Sequence, residues 1–139
     1  MKRLEIMRGV SGSGKSTRVA EIVAATKGKS VVCSADHYFI NDQGKYVFNP
    51  RKLKQAHKQC KAKAREAMAN NIALVIIDNT STCKWEYQPY IDMAEQYKYE
   101  IEIIQVGNFD PESLELYAKR NSHGVPLEAI KRMAARWEE

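Results

Sequence analysis

The chain has 139 residues, 44% of them hydrophobic and 28% charged, which sets the expectation of one domain around one core. Its 22 Lys+Arg against 17 Asp+Glu leave a net charge of +5, a modest excess that favours anionic partners such as nucleic acid. Cys33, Cys60 and Cys83 are odd in number and far apart, which argues against a disulfide framework or a C-x-x-C zinc site, and no apolar run approaches the roughly 18 residues of a membrane span. The first residues, Met1-Lys2-Arg3-Leu4-Glu5, carry no signal-peptide h-region, so the expectation is a soluble, cytoplasmic protein.

Leu4 to Arg8 is a short apolar stretch that runs straight into glycine-rich sequence, and Arg18 to Ala25 then has helical spacing, so the chain opens as strand, loop, helix. Ser30 to Ser34, Ala73 to Ile77 and Glu100 to Val106 read as further strands, the first two ending near Asp36 and Asp78. Helical segments between the later strands predict an α/β sheet. Asn41-Asp42-Gln43-Gly44 reads as a turn between Tyr38-Phe39-Ile40 and Tyr46-Val47-Phe48, predicting a small hairpin. Pro111 and Pro126, each beside acidic residues, mark two final helix starts. The expected fold is a doubly wound P-loop NTPase/kinase domain spanning residues 1–139, with a parallel sheet of about four to five strands flanked by helices. A C-terminal helical lid is expected at about 111–125.

The stretch Gly9-Val10-Ser11-Gly12-Ser13-Gly14-Lys15-Ser16-Thr17 matches G-x-x-x-x-G-K-[ST] between a predicted strand and a predicted helix. Glycines there let backbone N–H groups turn onto phosphate oxygens, and the helix N-terminus adds its dipole. Lys15 supplies a point charge at the β/γ oxygens, and Ser16 supplies a hydroxyl ligand for Mg²⁺. The implied donor is ATP or another nucleoside triphosphate.

Two carboxylates stand at strand ends that line the crevice of an open α/β sheet. Asp78 reads as the acidic partner of Mg²⁺ or as a helix cap. Asp36 reads as a general base for an attacking hydroxyl or as a turn residue. In the Tyr117–Pro126 segment, Arg120 reads either as an arginine finger in cis or as a charge complementing a helix C-terminus, and His123 reads as loop structure. On the helix expected from Arg51 to Asn70, Lys54, Lys58, Lys61 and Arg65 fall within roughly 60° of arc at about 100° per residue. That row either tracks a phosphate backbone or is a solvated surface whose lysine stems cover apolar ground. Tyr38, Phe39, Tyr46 and Phe48 either stack bases or pack the hairpin on the core.

The combination of GxxxxGKS with Ser34-Ala35-Asp36-His37-Tyr38, Ile77-Asp78-Asn79-Thr80 and Lys119-Arg120-Asn121-Ser122 before Val125-Pro126 resembles the phage-type polynucleotide 5′-hydroxyl kinase family. The resemblance implies transfer of the γ-phosphoryl group of ATP to a 5′-hydroxyl of DNA or RNA, with an Asp-x-Tyr aspartate as base and an arginine-bearing lid. Asp36, Lys15, Ser16 and Arg120 fall on the matching positions, and Tyr38 and Thr80 are the implied substrate contacts. The chain departs from that pattern at Ala35 and Phe39, where the family has arginines, and at Ser81, where relatives carry Asn. Lys54 and Lys58 are the candidates for a compensating clamp on substrate phosphate. The rival expectations are a P-loop kinase acting on free nucleotides, small alcohols or hydroxymethylated bases in DNA, and an ATP-binding or ATP-hydrolysing switch for a partner protein.

Overall fold

Four apolar strands alternate with helices along residues 2–139, the part of the chain that the computed structural model describes. The strands are β1 (Arg3–Arg8), β2 (Ser30–Cys33), β3 (Leu74–Asp78) and β4 (Glu100–Gln105), and they form one parallel sheet in the order β2-β3-β1-β4. β1 is central, with Leu4 beside Val75 and Ile101 and Met7 beside Asp78 and Ile104. Helices α1 (Lys15–Ala25), α2 (Leu53–Ala69), α3 (Lys84–Tyr97), α4 (Pro111–Arg120) and α5 (Leu127–Ala135) complete the order.

Because successive strand side chains point to opposite faces, the interior strands bury both faces and the sheet needs helices on each side. Leu4, Ile6, Val75 and Ile77 meet Cys60, Ala64 and Met68 of α2 and Tyr90 and Met93 of α3. Met7, Leu74 and Ile76 meet Val19 of α1 on the other face. The edge strand β4 is less covered, with Ile101 and Ile103 exposed. A separate cluster of Val10, Leu114, Tyr117 and Ile130 packs the last two helices against the glycine-rich loop. Of these, α4 and the loop after it fall in the segment 111–125 where a lid is expected, and Val10 packs against Leu114 and Tyr117 of α4.

The element starts follow local chemistry. Asp110 accepts from the Ser113 amide at 3.0 Å and Pro111 occupies the first turn of α4. Pro50 begins a short 3-10 turn that leads into α2. The expected hairpin is reduced to a single antiparallel bridge between Ile40 and Tyr46. Its first arm is lost because residues Ala35–Phe39 coil into a 3-10 turn whose Asp36 amide donates to Ser34 Oγ at 3.2 Å. Asn41 closes the turn, its Oδ1 accepting from the amides of Gln43 and Lys45.

Arg8 is 5% exposed, and such a buried charge requires partners. Its guanidinium donates to the carbonyls of Ser81 and Thr82 at 2.8 and 3.0 Å and to that of Glu138, and it stacks 4.3 Å from the Trp137 ring. The end of β1, the loop after β3 and residues 137–138 are thereby fastened together. Among the described residues no helix is long and apolar enough to cross a membrane.

Candidate active site

β1 delivers the chain into the loop at Gly9, whose amide donates to the Thr80 carbonyl at 3.0 Å and so ties the loop to the segment after β3. Gly12 has φ +79°, and a Cβ there would strike the Tyr117 carbonyl on α4. Gly14, at φ +106°, caps α1 without any side-chain hydrogen bond, leaving the first-turn amides at Ser16 and Thr17 without a side-chain cap. Ser13 is buried and its hydroxyl has no partner among the described residues. Uncapped first-turn amides behind a glycine-turned loop that lines an open cavity are what a phosphate would satisfy, so the cradle fits a nucleoside triphosphate.

Lys15 Nζ donates to the Val10 carbonyl at 3.1 Å. Burial holds its ammonium below the usual lysine range, while the carboxylates of Asp78 and Asp36 act in the opposite direction. Asp78, half-buried at the end of β3, is pushed up by burial and drawn back by Lys15. The described residues hold no group of three or more His, Cys, Asp or Glu that could cage a metal. One hydroxyl at Ser16 and one carboxylate at Asp78 nevertheless suit Mg²⁺, which binds through few protein ligands together with phosphate and water.

Asp36 projects from the 3-10 turn after β2, and its side chain is 48% exposed. Tyr46 donates its hydroxyl to Asp36 Oδ1 at 3.2 Å, and burial together with the nearby carboxylate raises the Tyr46 pKa, so the phenol stays protonated. His123 Nδ1 lies 3.4 Å from Asp36 Oδ2, and the imidazole stacks on the Tyr46 ring at 3.9 Å and 8°. Arg120 Nε donates to the Gly12 carbonyl at 2.7 Å, which places the guanidinium against the phosphate cradle.

One cavity of about 770 Å³ gathers Ser11 to Thr17, Asp36, Asp78, Thr80 and Arg120. Tyr38, Lys54 and Lys58 do not line it. Tyr38 packs edge-on against Phe39 at 5.3 Å, and the two lysines are exposed on α2, about a third of a turn or more from the buried row of Ala56, Cys60 and Ala64. Asn79, beside Thr80, accepts from the Ala35 amide at 2.9 Å and so braces the turn that carries Asp36. The cavity also holds His37, to which the sequence assigns no role, and His123, expected there as loop structure alone. Burial depresses the His37 imidazole. A histidine next to the candidate base was one available signal for His37. For Tyr46 and His123 no local pattern announced the contact, because 77 residues separate them.

A nucleotide cradle at the carboxyl ends of parallel strands, with an arginine-bearing helix pair against it, defines a P-loop kinase-type domain. A family model for the AAA domain matches residues 4–139, and the chain belongs to that family. It is 35% identical over 138 residues to human NEDD4-binding protein 2, covering 97% of this chain and 8% of that protein. Among solved structures, a chain of the Pnkp1/Rnl/Hen1 RNA repair complex superposes with a TM-score of 0.74 at 17% identity, over 97% of this chain and 43% of that one. Kti12 of Chaetomium thermophilum, solved with ADP-AlF3, superposes with a TM-score of 0.64 at 18% identity, over 98% of this chain and 80% of that one. The chain thus spans a small part of the curated relative and under half of the repair-complex chain, and the structural likenesses are of fold.

Proposed function

We propose that this chain is an ATP-dependent polynucleotide 5′-hydroxyl kinase, a single cytoplasmic P-loop kinase domain over residues 1–139 whose lid lies at about 111–125. The observation that carries the reading is Asp36: a half-exposed carboxylate that opens into the same cavity as Lys15 and the loop amides. A carboxylate at that place serves an alcohol or water as nucleophile, so the labelled product separates the kinase from an ATP-hydrolysing switch. The net positive charge and the fold shared with a chain of an RNA repair complex favour a nucleic-acid end as the alcohol.

In this reading Lys15 and the amides of the loop bind the β- and γ-phosphates, and Arg120 faces the charge that develops on the transferred group. Ser16 and Asp78 would hold Mg²⁺, which neutralises phosphate charge when bound. Asp36 takes the proton of the 5′-hydroxyl as its oxygen bonds to the γ-phosphorus. The bond from that phosphorus to the β–γ bridging oxygen breaks, and ADP leaves. Tyr46 keeps the carboxylate oriented while this happens.

The test is incubation with γ-labelled ATP and a panel of 5′-hydroxyl DNA, 5′-hydroxyl RNA, nucleosides and hydroxymethyluracil DNA. Label at an oligonucleotide 5′ end is the expected result. Label only in free phosphate would support the switch, label inside the polymer would support base modification, and label only in nucleosides would support a small-molecule kinase.

A further inference from the structure

We propose that His123 is a positioning residue for Asp36, one that makes the orientation of this carboxylate conditional on where the lid sits. The inference rests on the reading of Asp36 as base given above.

A carboxylate on one short turn has a broad, nearly two-fold terminal torsion, so its backbone anchor at Ser34 does not by itself fix the plane of its oxygens. Two groups from elsewhere in the chain address those oxygens separately. Tyr46 donates to Oδ1 at 3.2 Å, and His123 Nδ1 stands 3.4 Å from Oδ2. The two rings lie face to face at 3.9 Å and 8°, so each supports the placement of the other. A carboxylate oxygen has two acceptor sites, which leaves each oxygen able to receive the hydroxyl of an incoming alcohol as well.

The imidazole also belongs to the lid. His123 follows Arg120 by three residues, and Arg120 Nε bonds the Gly12 carbonyl of the phosphate cradle at 2.7 Å. Between them Asn121 braces the loop, donating to the Val125 carbonyl at 2.9 Å and accepting from the Val125 amide at 2.8 Å. A short, braced loop therefore touches the donor cradle with one side chain and the base with another. Seating the lid over the triphosphate and squaring Asp36 to the acceptor become one event.

The experiment compares wild type with His123→Ala, His123→Gln and His123→Phe, each also combined with Asp36→Asn. Single-turnover transfer from γ-labelled ATP is followed with the acceptor that the panel identifies, and ADP affinity is measured by calorimetry. His123→Ala should lower the transfer rate roughly tenfold or more, since misplacement of a reacting group is expensive, with ADP affinity unchanged. Gln, which keeps a donor, should restore most of the rate, whereas Phe, which keeps only the stack, should not. On the Asp36→Asn background, removing His123 should have no further effect, because its action runs through that carboxylate. An unchanged or faster rate in His123→Ala, rescue by Phe equal to that by Gln, or a further loss on the Asp36→Asn background would each overturn the proposal. If Asp36→Asn is inactive while His123→Ala is fully active, only the role of His123 falls. If Asp36→Asn is itself fully active, the base assignment falls and the inference with it.

Discussion

In the proposed kinase the donor and acceptor sides of the cavity are built on different plans. The donor side is one contiguous stretch, Gly9 to Thr17, turned by glycines at φ +79° and +106° and buttressed by the buried cluster of Val10, Leu114, Tyr117 and Ile130. The acceptor side is gathered from three distant segments at Asp36, Tyr46 and His123. Around it Ile40, Val47 and Phe48 stay 45%, 52% and 50% exposed. A triphosphate thus meets a cradle set by covalent neighbours, whereas an acceptor meets side chains whose placement depends on tertiary contacts. Preorganisation is cheap in the first case and conditional in the second. Changes at Asp36 or within Gly9 to Thr17 should therefore be distinguishable by nucleotide affinity, while the segment bearing Arg120 and His123 touches both sides.

The largest expected effect is that of Asp36→Asn, which removes the proposed proton acceptor and should lower kcat by about 10²–10⁴-fold. ADP affinity measured by calorimetry should stay at the wild-type level, since Asp36 is outside the loop. A parallel loss of nucleotide affinity would break the division between the two sides. Lys15→Ala should behave differently, lowering both kcat and ATP affinity by roughly 10²-fold, because the same ammonium faces ground-state and transferring phosphates.

How much of this was legible in the chain follows from the same division. The loop, its strand and its helix were readable because Gly9, Gly14, Lys15 and Ser16 are neighbours whose spacing alone specifies an anion nest. Strands with continuous apolar runs, such as Leu74 to Ile77, and Pro111 beside Asp110 also announced themselves. The expected hairpin failed because propensity at Tyr38 and Phe39 was overridden by the turn that Ser34 caps and by burial of Phe39 against Ala56. His123 reads as loop structure because a histidine between Ser122 and Gly124 shows nothing of a carboxylate 87 positions earlier. Arg8 sat in plain view beside the motif, yet its carbonyl partners at Ser81, Thr82 and Glu138 exist only once the chain is folded.

A smaller effect sharpens the acceptor side. Tyr46→Phe keeps the ring against His123 and removes only the hydroxyl that donates to Asp36 at 3.2 Å. The loss of one such bond, about 1 kcal/mol, corresponds to roughly fivefold in kcat, with ADP affinity unchanged. A loss as deep as that of Asp36→Asn would mean that the phenol itself touches the reacting atoms.

The smallest effect belongs to the basic row of α2. Lys54 and Lys58 are exposed, make no hydrogen bond among the described residues and lie outside the cavity that holds Asp36. A direct clamp on a substrate phosphate would release counterions, so removing two phosphate-bonded lysines should flatten the salt dependence of oligonucleotide KM by about 1.4 in log–log slope for a single strand. Lysines that act only through a screened field lose most of their influence beyond a Debye length of about 10 Å at 0.1 M salt. Their position on α2 favours the second case. The double variant Lys54→Ala/Lys58→Ala should change oligonucleotide KM by less than about threefold at 0.1 M salt and leave the slope nearly unaltered. A slope reduced by more than about 1 would instead place the substrate backbone along α2 and extend the acceptor side well past the Asp36 turn.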